Sequence, residues 1–82
     1  MKLKYFAWVK DITGTHFEEI NDTSVKDVNT LINLITKKYP KLKKYFNEGN
    51  IIRIAVNLEY TSSNRKISQS DEIAFFPPVS GG

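Results

Sequence analysis

The sequence predicts an α+β fold, a mixed sheet packed on one main helix. Three observations carry that expectation. Residues 2–9 alternate between two faces, with Leu3, Tyr5, Ala7 and Val9 on one and Lys2, Lys4, Phe6 and Trp8 on the other, which is the period of a strand. Val25, Val28, Leu31, Ile32, Ile35 and Tyr39 recur at helical spacing. The run from Ile51 to Asn57 is rich in β-branched residues, which suit a pleated, buried surface.

Each element follows in order. After the first strand, Asp11 to Thr15 contains Gly14 and reads as a turn, and His16 to Ile20 reads as the return strand of an N-terminal hairpin, with Phe17 and Glu19 on one face. Asn21-Asp22-Thr23-Ser24 is rich in residues that cap helices, and Ser24 with Asp27 resembles a weak capping box. The helix that follows is expected to stop at about Tyr39, ahead of Pro40. Lys41 to Phe46 offers one further turn, ended by Asn47-Glu48-Gly49-Asn50. Ile51 to Asn57 is placed near the sheet centre, Leu58-Glu59 makes a tight connection, and Tyr60-Thr61 begins a short return strand. Ser62 to Ser70 is polar and loop-like. Glu72 to Phe76 is the last strand, stopped by Pro77-Pro78. One helix between an early hairpin and later strands is the ubiquitin-like β-grasp order. Residues 1–82 read as a single domain with a flexible tail over 77–82.

Composition removes several classes of function. The chain has no cysteine, so disulfides, thiolate metal sites and a cysteine nucleophile are excluded. Its one histidine, His16, has no second metal-ligating partner and reads as a surface residue; no metal is expected. The serines lack a nucleophile-elbow setting, and there is no phosphate-binding glycine loop. Glu18, Glu19, Asp71 and Glu72 read as solvated carboxylates. The net charge of +3 includes a cluster of Lys37, Lys38, Lys41, Lys43 and Lys44. It reads as a solvated helix end favoured by the helix dipole, with no nucleic-acid partner implied. The N-terminus lacks the pattern of a signal peptide, and no apolar run approaches the roughly 20 residues that span a bilayer. No membrane partner and a cytoplasmic location are therefore expected.

The most informative stretch is the end, Phe75-Phe76-Pro77-Pro78-Val79-Ser80-Gly81-Gly82. A strand runs into two prolines that stiffen its exit. Two residues without side chains then present a carboxylate. Glycine lacks a Cβ, so such a tail can thread a channel too narrow for other residues.

With this run, together with Tyr5-Phe6-Ala7, Val9-Lys10 and Ala55-Val56-Asn57, the chain resembles the small subunit of molybdopterin synthase, the MoaD group of ubiquitin-like sulfur carriers. The resemblance covers the whole length. Ser70 departs from it, standing where family members often have glycine before the acidic pair, which leaves the local turn geometry open.

The resemblance implies a carrier rather than a self-contained enzyme. Gly82 would be adenylated by a ubiquitin-activating-like adenylyltransferase (MoeB-like) using ATP, and would become a thiocarboxylate with sulfur from a donor enzyme. The tail, with Gly81 and Ser80 threading, would then enter the large synthase subunit (MoaE-like) of a heterotetramer. There the sulfur would attack a cyclic pyranopterin monophosphate, toward the dithiolene of the molybdenum cofactor. No cofactor would be bound permanently. Phe6, Tyr60, Phe76, Pro77 and Pro78 are the expected partner-binding residues, with Trp8 exposed beside Phe6. Three other readings stay open at this point: a sulfur carrier for thiazole synthesis, a ubiquitin-like protein modifier, and a plain interaction module.

Overall fold

The computed structural model of the chain describes residues 1–47, 51–61 and 63–78. The expected ends of two segments, Glu48-Gly49-Asn50 and Val79-Ser80-Gly81-Gly82, lie outside the described residues, as does Ser62.

Five strands form one mixed sheet. They are β1 (Lys2–Tyr5), β2 (Phe17–Glu19), β3 (Arg53–Val56), β4 (Glu59–Thr61) and β5 (Glu72–Phe76), in the spatial order β2-β1-β5-β3-β4. The last strand is thus the central one. It pairs in parallel with β1, Leu3 beside Ile73 and Tyr5 beside Phe75, and antiparallel with β3, Ile54 beside Phe75. Strict alternation along β5 buries Ile73 and Phe75 and leaves Ala74 and Phe76 on the opposite face. Leu3, Tyr5, Ile54 and Val56 share the buried face.

Against that face packs α2 (Val28–Lys38), through Val28, Leu31 and Ile35. Each such large apolar side chain contributes roughly 1.5–3 kcal/mol by leaving water. The helix starts later than the spacing of Val25 suggests. Asp27 is the N-cap, accepting from the Thr30 backbone N–H at 2.8 Å, while Thr30 Oγ1 accepts from the Asp27 N–H at 3.1 Å. Ser24 is not the cap; it bonds Asp22 Oδ1 through its backbone N–H at 2.9 Å. The reason is tertiary. Lys26 accepts from the Ile67 N–H and Val28 donates to the Arg65 carbonyl, which holds this stretch extended beside residues 65–67. Val25 is buried all the same, just ahead of the helix. The helix ends at Tyr39 before Pro40, and a 3-10 turn (Pro40–Leu42) leads into α3 (Lys43–Asn47).

The largest correction falls on residues 6–15. The strand stops at Tyr5, and Ala7–Thr13 form a helix, α1, closed by Gly14 in the left-handed conformation at φ 78°. Phe6 donates its N–H to the Phe75 carbonyl at 3.0 Å, the last bond of β1 to β5, and the chain turns at Ala7, φ 53°. Val9 is fully buried, with Trp8 and Ile12 packed against the core. Those three sit on one side of a helix as well as Val9 sits on one side of a strand, so a short window fits either period. The β1–β2 hairpin is real, but a helix rather than an open loop connects its strands.

Asn57 and Leu58, not Leu58 and Glu59, make the β3–β4 turn, since Val56 pairs with Glu59. At Ser70 the serine is accommodated without strain: among the described residues positive φ occurs at Ala7, Gly14, Asn57 and Leu58 alone.

Candidate functional site

The face of the sheet not covered by α2 carries the expected partner-binding aromatics. Tyr60 on β4 sits opposite Ala55, which sits opposite Ala74 on β5. These two alanines keep the surface low between the larger side chains. Phe76 is one pleat further along β5, and its ring meets Tyr60 edge to face, centroids 5.5 Å apart. Phe6 lies next to the end of β5 through its backbone bond to Phe75. Tyr60 is 78% exposed and Phe6 48% exposed, while Phe76 and Pro77 are half-buried and Pro78 is exposed. Four of the expected residues therefore run together along and just past β5, and Tyr60 joins them through its ring.

Trp8 does not belong to this face. In α1 it turns toward α3, packing on Tyr45 with ring centroids 4.7 Å apart, and it is half-buried. Phe17, exposed on β2 across from Lys4, extends the apolar surface in its place. Its alternation with Glu18 was the available signal. Lys4 also pairs with Glu72 at 3.0 Å, a polar strip across the open face. A shallow cavity of about 560 Å³ beside Phe6 is lined by Lys4, Lys10, His16 and Phe17, so the histidine is at the surface, as expected. Among the described residues no cluster of side chains could hold a metal ion.

Of the four carboxylates read as solvated, Glu18 is not. It is half-buried on the core side of β2 and accepts from Tyr5 Oη at 2.8 Å, from Tyr39 Oη at 2.7 Å and from Lys38. Burial works to raise its pKa, but the hydrogen bonds from Lys38, Tyr39 and Tyr5 outweigh burial together and hold it below the usual value. Burial raises the pKa of both tyrosines, and their hydrogen bonds to Glu18 raise it further. The group ties the edge strand β2 to the end of α2, and it takes Lys38 out of the lysine cluster. Asp71 is likewise engaged, accepting from Asn57 Nδ2 at 2.9 Å and from the Ser68 N–H at 2.8 Å.

Gly82, Gly81 and Ser80 lie outside the described residues; the structure follows the tail as far as Pro78. What it fixes is the approach. β5 is bonded on both sides, so the point from which Pro77-Pro78 depart is held by the centre of the sheet, next to Phe76 and Phe6.

Comparison with known proteins gives a consistent picture. The ThiS family matches residues 3–82. The molybdopterin synthase sulfur carrier subunit of Dictyostelium discoideum is 38% identical, over 99% of this chain and 94% of that protein. Among solved structures, a putative molybdopterin converting factor subunit 1 from Pyrococcus furiosus is 33% identical with a TM-score of 0.81, covering 95% of both chains. Small archaeal modifier protein 1 from Methanosarcina acetivorans is 28% identical with a TM-score of 0.80, covering 99% of this chain and 94% of that one. The fold is also that of a chain in the complex of subunits 1 and 2 of the molybdopterin-converting factor from Helicobacter pylori, at 23% identity, a TM-score of 0.57, and 99% and 96% coverage.

Proposed function

This chain belongs to the ThiS family, and we propose on that footing that it is the sulfur carrier subunit of a molybdopterin synthase, with the Gly82 carboxylate as its working group. The observation that carries the reading is the placement of Tyr60, Phe76 and Phe6 on the open face where β5 leaves the sheet, directly ahead of Pro77-Pro78 and the Gly81-Gly82 sequence. A partner seated on that face receives the tail in its own active site.

The chemistry follows from the weakness of a carboxylate as an electrophile. An adenylyltransferase with a ubiquitin-activating-like fold joins a Gly82 oxygen to the α-phosphate of ATP and releases pyrophosphate. A persulfide sulfur on a donor enzyme attacks the acyl carbon and AMP leaves; a thiol then reduces the resulting acyl disulfide, which frees the thiocarboxylate and leaves the donor sulfur in a disulfide with that thiol. In the large subunit the terminal sulfur attacks a carbon of the pterin precursor and displaces an oxygen from it, and water then cleaves the acyl–sulfur bond, which restores the carboxylate and leaves the sulfur on the pterin. This chain supplies the nucleophile; acid–base groups and phosphate binding belong to the partner. The chain holds no cofactor of its own on this reading, and ATP is consumed by the activating enzyme. The chain has no cysteine, so the sulfur has to come from elsewhere.

A second reading has one observation in its favour, the similarity to small archaeal modifier protein 1: the same activated carboxylate could be joined to lysines. One experiment separates the two. Incubation with ATP, magnesium, the activating enzyme and a sulfur donor is expected to exchange one oxygen for sulfur in the peptide that ends in Gly81-Gly82. The large subunit with pterin precursor then returns the original mass. Isopeptide adducts formed without any sulfur donor, and no thiocarboxylate with it, would establish the modifier instead.

A further inference from the structure

Asn57 and Leu58 are the whole connection between β3 and β4, since Val56 and Glu59 are already paired. Both have positive φ, 50° and 70°. A two-residue hairpin loop with that pair of angles is a type I′ turn. Its second position favours glycine, because the left-handed region brings a Cβ too close to the following carbonyl oxygen. Asn57 fits the first position and uses its side chain to bond the start of β5: Nδ2 donates to Asp71 Oδ1 at 2.9 Å and Oδ1 accepts from the Glu72 N–H at 3.0 Å. Leu58 has no polar atom to bond with, and it is 90% exposed, the most exposed large apolar residue among those described. The free domain thus carries a strained backbone and a solvated aliphatic side chain at one position, where glycine would remove both. Strain of this kind clusters at sites that do something other than hold the fold together.

Leu58 is two residues from Tyr60 on the same hairpin, or about 7 Å along an extended chain. An interface of ordinary size covers about 800 Å² on each partner, a disc of about 16 Å radius. A protein centred on Tyr60 and Phe76 therefore reaches the tip of the hairpin. We propose that Leu58 is an apolar anchor that enters a recess on the large synthase subunit, so that the docking surface continues from Phe76 through Tyr60 to the hairpin tip. The inference rests on the docking reading given above. The recess is apolar because Leu58 offers neither charge nor hydrogen bond. The exposed Glu59 beside it, 3.8 Å from Arg65, supplies a polar rim.

The test uses Leu58→Gly and Leu58→Asn, both compatible with positive φ, with Phe76→Arg as a control on the docking reading. Each is melted alone and titrated calorimetrically with the large subunit. Leu58→Gly is expected to raise the melting temperature by about 2–5 °C, Leu58→Asn to leave it no lower than the parent, and both to weaken binding by about tenfold. If Phe76→Arg loses affinity while both Leu58 variants bind like the parent, this inference is overturned and the docking reading stands. If all three bind like the parent, both are overturned. Variants that melt well below the parent would overturn the strain argument and the inference with it. Loss of a self-association of the free chain, with binding to the large subunit unchanged, would show a second copy as the occupant and equally overturn the proposal.

Discussion

Truncating Tyr60 to alanine separates docking from folding more cleanly than any other change on the open face. The ring is 78% exposed in the free domain, so its removal takes little from the core. The fold loses its edge-to-face contact with Phe76, worth about 0.5–1.5 kcal/mol at most. On docking the balance reverses. An aromatic side chain offers about 150–250 Å² of surface. The exposed 78% leaves roughly 120–195 Å² for a partner to cover. At about 25 cal/mol per Å² that is roughly 3–5 kcal/mol, less about 1 kcal/mol for fixing the side chain. Tyr60→Ala is therefore expected to weaken binding to the large subunit by about 2–4 kcal/mol, or roughly 30- to 700-fold. Urea unfolding of the variant alone should show a change below about 1.5 kcal/mol. Calorimetric titration gives the first quantity and a chemical melt the second. A change in affinity below about threefold would refute the assignment of this face, and a large stability loss would refute the placement of the ring outside the core.

The other expectations concern the tail, an ion-pair group and the core. Removing Gly82, adding a residue after it, or replacing Gly81 with a bulky residue should abolish sulfur transfer in a reconstituted assay; normal transfer by the shortened chain would sink the carrier reading. Glu18 has a folded pKa below its ordinary value near 4.3, so its hydrogen bonds stabilise the fold above that pH and are lost as pH falls through the lower, folded value. The melting temperature of the parent should thus drop as the pH goes from about 5 toward 3, and Glu18→Gln, lower at neutral pH, should show a shallower drop. Leu31, fully buried on α2 against the sheet, should lose about 2–5 kcal/mol of stability as alanine, whereas Phe76→Arg, which gives up its contact with Tyr60, should keep the domain folded at a cost of about 1 kcal/mol while weakening binding to the large subunit and to the adenylyltransferase.

Features written within one short stretch of chain were legible. The alternation of Glu72 to Phe76 set which residues enter the core, because a strand has one period and both of its faces were already distinct. The spacing of Val28, Leu31 and Ile35, with Pro40 beyond, was enough for the buried stripe and the end of α2. The Phe-Phe-Pro-Pro approach to Gly-Gly was enough for the family resemblance that the matching ThiS family and the Dictyostelium discoideum relative bear out.

What was not legible depended on residues far apart in sequence. The change from strand to helix after Tyr5 occurs where Phe6 makes the last bond to Phe75, nearly seventy residues away. Seven residues with Trp8, Val9 and Ile12 fit both periods, so the local pattern could not choose. The start of α2 was set by residues 65–67 holding Lys26 to Val28 extended, which overrode the cap offered by Ser24. Glu18 looked like any strand carboxylate until Tyr5 from β1 and Lys38 and Tyr39 from the end of α2 converged on it. The strain at Leu58 is likewise absent from the letters Asn-Leu; it exists because the Val56–Glu59 pairing leaves only two residues to turn the chain. Propensity and period are properties of neighbours in sequence. Which of two permitted conformations is taken is decided by the hydrogen bonds and apolar area that distant segments supply, and only the tertiary structure brings those segments together.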